Sequence, residues 1–224
     1  MATLQQLQGA IDQLLNHPLG INNYLLLQPV EEKAYEAYVF GLCLRAVREL
    51  GVVPVLRGIS APPNPFIFRG GPGRIYSTTR NYGYAVFTLN NLSFEIHAGV
   101  EIRGTSGMNH ELDVCILQAR EAVQSRRDRN DPSANALVGG WECKFYSGTL
   151  QKGLGRAWVG LMDDMGNNSR LSGLCSNTSH PQLRVYFRPQ RRPHPHFELT
   201  PLSPSDEAIF VNMLKGELRK MAAV

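Results

Sequence analysis

From Leu4 to Leu15, apolar residues recur three or four positions apart through Leu7, Ile11 and Leu14, and Thr3 stands before them as a cap. This spacing predicts a short amphipathic helix over residues 3–16, ended by NHPLGINN. Pro29 opens a second helix that runs through VEEKAYEAYVFGLCLRAVREL to Gly51, a glycine where helices commonly stop. From VVPVL onward the pattern changes to short β-favouring runs separated by turn residues: FIF before RGGPGR, YAVFTL, the pair Asn90-Asn91, and SFEIHAGVEIRG. These predict hairpins leading into a strand in HELDVCIL, residues 110–117, with another strand in WECKFY, residues 141–146. Between them REAVQSRRDRNDPSANA is polar and interrupted by Asp131-Pro132, which predicts an exposed excursion. TLQKGLGRAWVGLMDDMG predicts a helix despite its glycines, RLSGLCSN and LRVYF predict strands, and RPQRRPHPH a basic, proline-rich loop. The chain closes with a capped amphipathic helix over residues 203–222. Helices alternating with runs of strands imply an α/β or α+β fold with a mixed central sheet flanked by helices.

The length of 224 residues suits one domain with its own core, expected to occupy about residues 30–180 with the two terminal helices as additions. No apolar run approaches a membrane span, and MATLQQLQGAIDQLLN lacks the basic start and apolar block of a secretory signal; a cytoplasmic protein is expected. Cys43, Cys115, Cys143 and Cys175 include no CxxC pair, which argues against a zinc ribbon or a disulfide framework and predicts reduced thiols. The net charge of +4 permits a nucleic-acid partner without requiring one.

Two predicted strands carry charge where a core requires apolar side chains: Asp113 in the first, Glu142 and Lys144 in the second. A charge in low-dielectric surroundings costs several kcal/mol unless it is paired or metal-bound. Side chains alternate along a strand, so Glu142 and Lys144 share one face while Trp141, Cys143 and Phe145 take the other. With the strands side by side, Asp113 projects onto the face of Glu142 and Lys144. Two carboxylates that close cannot both ionise cheaply, and a hard divalent cation, Mg²⁺ or Mn²⁺, would relieve them. The backbone carbonyl of Cys143 would be a further oxygen ligand. Without a cation, Lys144 would serve as a structural ion pair.

A helix bearing Glu36 in KAYEAYVFGLCLRAVRELG, then Asp113 in HELDV, then Glu142 and Lys144 in WECKFY, resembles the PD-(D/E)xK nuclease superfamily with its restriction-endonuclease-like fold. The likeness covers residues 30–180, with the helix and strand after Tyr146 as its continuation; Leu112 stands where the family name has proline. It implies hydrolysis of phosphodiesters in DNA, with RNA a further possible substrate. Glu36, Asp113 and Glu142 would hold one or two cations that activate water, and Lys144 would steer that water or stabilise developing charge. Glu36 is preferred over Glu32, one helical turn earlier, and Glu111 is read as the exposed end of its strand.

A nuclease must also hold a polyanion. Arg184, Arg188, Arg191 and Arg192 form a run without acids and are the stronger candidates; Arg126, Arg127 and Arg129 are interleaved with Asp128 and Asp131. Gln151 and Lys152, at the start of the helix after the Glu-x-Lys strand, could face the active site or the phosphate chain. Restriction, repair and antiviral roles all suit the resemblance, and cutting both strands of a duplex would favour a homodimer or a protein partner. The alternatives are a binding or assembly protein that does not cut, and a hydrolase of small phosphoesters.

Overall fold

The computed structural model describes residues 2–16, 23–166, 171–188 and 194–222. Helix α1 (Leu4–Asn16) buries Leu7, Ile11 and Leu15, the stripe its spacing predicts. Helix α2 (Glu31–Arg48) places Glu31 and Glu32 in its first turn and Arg45 and Arg48 in its last, complementing the helix dipole. Between these ends almost every side chain is buried. Gly41 makes this possible on one side, because a Cβ there would stand 2.8 Å from Leu14. Gly51, with φ +82°, turns the chain away just beyond the helix.

A short parallel pair, β1 (Tyr24–Leu26) and β3 (Phe66–Phe68), packs aromatic side chains against Phe40 of α2. The main sheet of the described residues has seven strands: β2 (Val55–Gly58), β4 (Gly83–Leu89), β5 (Leu92–Arg103), β6 (Asn109–Gln118), β7 (Leu137–Lys144), β8 (Gly173–Ser176) and β9 (His194–Phe197), in that spatial order. Pairing is antiparallel from β2 to β7 and parallel from β7 to β9. Strands β4 and β5 form the expected hairpin, with Asn90 and Asn91 at φ 46° and 68°, the conformation a two-residue primed turn requires.

Helices α3 (Ala119–Asp128), α4 (Lys152–Asp164), α5 (Pro181–Tyr186) and α6 (Pro204–Ala222) complete the mixed α/β architecture. One core lies between the sheet and α1, α2 and α6; the other lies beneath α3, α4 and α5. Helix α6 is fixed to α2 by the Tyr38 hydroxyl, which donates to Glu207 at 2.6 Å, and by Arg45, which donates to the same carboxylate at 3.0 Å. All four cysteines are free and buried. No helix among the described residues is long and apolar enough to cross a membrane.

Three sequence expectations are corrected. REAVQSRRDRNDPSANA is not a polar excursion: its first part is α3, which docks through the small side chains of Ala122 and Ser125. LRVYF is helical, because Pro181 at the first turn and the His180 ring, which accepts from the Gln182 amide at 3.1 Å, start α5. The end of RPQRRPHPH forms β9 at the sheet edge, where a proline without an amide hydrogen is tolerated. Arg191 and Arg192 lie outside the described residues, as does most of NHPLGINN.

Candidate active site

Strands β6 and β7 run antiparallel with Val114 opposite Trp141, so one further step along this register sets Asp113 beside Glu142. There a side-chain contact joins the strands: Asp113 Oδ2 accepts the Cys143 amide hydrogen at 2.7 Å. On the other side of β6 the ladder passes from Ala98–Val114 to Val100–Leu112, leaving Gly99 opposite Asp113. Gly99 has φ +60°, which a side chain would strain. Val114 and Ala98 pack into the core beneath α2, whereas Leu112 and Val100 belong to the opposite core. Both strands thus change faces at this step, and Asp113 sits at the crossing.

Trp141, Cys143 and Phe145 enter the core beneath α2, as strand alternation requires, which leaves Glu142 and Lys144 on the other side of β7. The two form an ion pair, each side chain about a quarter exposed, at 24 % and 27 %. Glu36, on the buried part of α2, pairs with Lys33 at 2.7 Å. Glu32 is exposed, so burial distinguishes the two helix acids. Glu111 is corrected from an exposed strand end: it is partly buried, and its Oε1 has no hydrogen-bond partner among the described residues.

These residues act on one another electrostatically. Burial, reinforced by Glu142 and Glu36, holds the Asp113 carboxyl well above the usual carboxylate range. Burial likewise pushes Glu36 up to about 7, with Lys33 opposing and Glu111 adding to the rise. Glu111 is raised by burial and by Glu142. For Lys144 burial alone would lower the pKa, but Glu142 and Asp113 outweigh it and hold the amine protonated. Lys33 is raised in the same way by Glu36.

Four carboxylates, Glu36, Glu111, Asp113 and Glu142, and two ammonium groups, Lys33 and Lys144, therefore lie within reach of one another's charge. Hard oxygen donors under mutual repulsion, one of them a buried oxygen without a hydrogen bond, suit Mg²⁺ or Mn²⁺. Among the described residues no three His, Cys, Asp or Glu side chains stand ready to enclose a metal ion. Coordination would require Glu142 or Glu36 to turn from its lysine. The Cys143 amide is engaged by Asp113, and Cys143 lies alongside Cys175 in the parallel β7–β8 pair.

The basic candidates divide. Gln151 stands just before α4 with no capping bond from its side chain, and Lys152 begins the helix; Lys152 lines a cleft of about 110 Å³ with Arg156, Gln182, Leu183 and Tyr186. That cleft lies toward α5 and does not include the carboxylate cluster. Arg184 pairs with Glu198 at 3.1 Å and lies over the Phe197 ring, with half its side chain exposed; Arg188 is exposed beyond the end of α5. Arg126 is turned inward, donating to both oxygens of Glu95 at 2.6 Å, and is not a free phosphate contact. His110 is bound to Asp164 at 2.6 Å, a carboxylate that also holds Thr105 and Ser106, so its partner is structural.

Sequence reasoning missed Lys33 and the Glu95–Arg126 pair. Glu95 carried the same signal as Asp113, a charge within the apolar strand SFEIHAGVEI. Comparison of the chain with protein-family models, with curated proteins and with solved structures gives no match.

Proposed function

We propose that this protein is a divalent-cation-dependent nuclease that hydrolyses phosphodiester bonds in DNA. The observation that carries the reading is the gathering of Glu36, Asp113, Glu142 and Lys144, from α2, β6 and β7, into one electrostatically coupled cluster. The order of elements also supports it: an acid-bearing helix, the Asp113 strand, the Glu-x-Lys strand, a helix, and then β8 parallel to β7. Both are what the resemblance to the PD-(D/E)xK superfamily and its restriction-endonuclease-like fold leads one to expect.

Asp113 and Glu142 would hold the cation, joined by Glu36 and the Cys143 carbonyl. When bound, the cation supplies Lewis-acid polarisation of the phosphate and a more acidic water. Lys144 keeps its proton and offers positive charge to an oxygen that becomes more negative as the phosphorus adds a ligand. An amine held protonated cannot act as the general base. Glu111 would restrain its neighbours through charge. Arg184, Arg188, Gln151 and Lys152 would contact the phosphate chain, with Arg191 and Arg192 continuing the same run.

The pairs Glu142–Lys144 and Glu36–Lys33 favour one second reading, a nucleic-acid-binding protein that does not cut, since paired acids need no cation. Incubation with linear, circular and single-stranded DNA and with RNA, in Mg²⁺, in Mn²⁺ and in chelator, separates the two. Hydrolysis predicts products that vanish in chelator; a mobility shift with intact substrate in every lane supports binding alone.

The raised carboxyls also predict how the metal-free fold responds to pH. Folded Glu36 keeps its proton to about pH 7, whereas the unfolded chain loses it near the ordinary 4.5. Its contribution is therefore fully present below 4.5 and is lost as pH rises to 7, by about 3 kcal/mol. Urea unfolding between those limits should show this decline in the wild type and a flatter profile in Glu36→Gln. Equal slopes would place Glu36 outside the cluster.

A further inference from the structure

A cleft of about 430 Å³ lies between the segment that follows β1 and the glycine-rich loop RGGPGR, lined among others by Gln28, Arg69, Gly71, Gly73, Ser77 and Thr79. Arg69 is 92 % buried by its 8 % relative exposure, and it makes no ion pair with any carboxylate among the described residues. Its Nη2 donates to the Arg74 carbonyl at 3.1 Å, and the guanidinium lies 4.0 Å from the centre of the Tyr82 ring. Those contacts use part of its donor capacity and supply no opposing charge. Burial pulls its pKa below the usual guanidinium value, with Tyr82, Cys115 and Glu101 opposing.

The backbone is arranged around this cation. A Cβ on Gly73 would stand 2.5 Å from Arg69 Nη1, so glycine leaves the space the guanidinium occupies. Gly73 is bonded to β5 on both sides: its amide donates to the Gly99 carbonyl, and its carbonyl accepts from the Glu101 amide, each at 3.1 Å. The amides of Gly70 and Gly71 donate to no acceptor among the described residues. The Ser77 and Thr79 hydroxyls, 3.1 Å apart, stand on the same cleft. A buried unpaired cation with loop amides and hydroxyls around it suits a tetrahedral oxyanion, whose several oxygens can accept from donors in different directions, better than a planar carboxylate.

We infer that the Arg69–Arg74 loop forms a phosphate-binding site, which takes the phosphate group of a nucleotide or of a nucleic-acid strand. The site shares no residue with the carboxylate cluster, although Gly73 is bonded to Gly99, which stands opposite Asp113; it would persist in a chain that binds without cutting. Calorimetric titration of the full metal-free chain, in low-salt buffer without phosphate, tests it with three probes: inorganic phosphate, 5′-AMP, and an oligothymidine with 5′- and 3′-hydroxyl ends. Binding of the first two alone identifies a terminal phosphate as the ligand; binding of the oligomer identifies the strand backbone, and either supports the site if it depends on Arg69. Arg69→Gln should weaken it roughly tenfold or more. Gly71→Asp, where a Cβ meets nothing within 4 Å, should do the same, because its carboxylate repels phosphate or takes its place beside Arg69, while Gly71→Ala should bind as the wild type does. Gly71→Asp decides the matter if Arg69→Gln does not fold. No binding by any probe, or affinities unchanged in Gly71→Asp, would overturn the assignment.

Discussion

If the protein is the nuclease proposed, Lys144→Ala and Asp113→Asn should each lower DNA cleavage by a factor on the order of 10³ while the protein stays folded. Lys144 is the positive charge of the Glu-x-Lys strand, held protonated by Glu142 and Asp113, and in the proposed reaction an alanine there would leave growing phosphate charge without that partner. The change strands Glu142, but that side chain is 24 % exposed and can be hydrated, so the stability loss is about 1 kcal/mol. Asp113→Asn is the sharper variant. An asparagine oxygen can still accept the Cys143 amide hydrogen, while removal of the charge relieves the repulsion from Glu142 and Glu36. The metal-free Asn variant should therefore unfold at the same or higher urea concentration than the wild type. Lost cleavage with unchanged or improved stability is the pattern of a residue kept for chemistry. Cleavage at the wild-type rate in either variant would leave the hydrolytic reading without its residues.

Arg126→Ala should cost about 3–5 kcal/mol of folding stability, because it leaves a buried carboxylate without its charge partner. Glu95 is only 2 % exposed, and Arg126 donates to both of its oxygens at 2.6 Å. Burial would raise the Glu95 pKa, but hydrogen bonds from Arg126 and His97 overcome it and keep the carboxyl below its ordinary value. Arg126 also lies over the Tyr84 ring, which stacks on His97 at 5.1 Å, so one substitution removes a charge partner and a packing contact. Adding Glu95→Gln should recover part of the loss, because the stranded charge is then gone. Chemical unfolding of the two single variants and the double variant checks this. A loss below about 1 kcal/mol for Arg126→Ala would mean that Glu95 is hydrated instead of buried.

How much of this was legible depended on which signal each segment carried. Asp113, Glu142 and Lys144 stood out because a charge inside a β-favouring apolar run has few inexpensive explanations. Glu36 was readable through its helix and order, and its burial then separated it from the exposed Glu32. Helix α3 was hidden because it docks through Ala122 and Ser125, which leave no stripe of large apolar side chains in the sequence. LRVYF was too short for its period to decide between helix and strand, and the capping geometry at His180–Pro181 decided it. The face change at Asp113 was not legible at all: it depends on the positive φ of Gly99, a residue distant in sequence that only strand pairing brings opposite. For the same reason Lys33 and Glu111 entered the cluster only once α2 and β6 were packed together.

Manganese anomalous scattering from a crystal grown with Mn²⁺ puts the cluster to its most direct test. The account predicts a peak within bonding distance of Asp113 and Glu142, with Glu142 released from Lys144, and loss of that peak in Asp113→Asn. A well-ordered crystal saturated with Mn²⁺ that shows no peak there, with Glu142 still paired to Lys144, would contradict it.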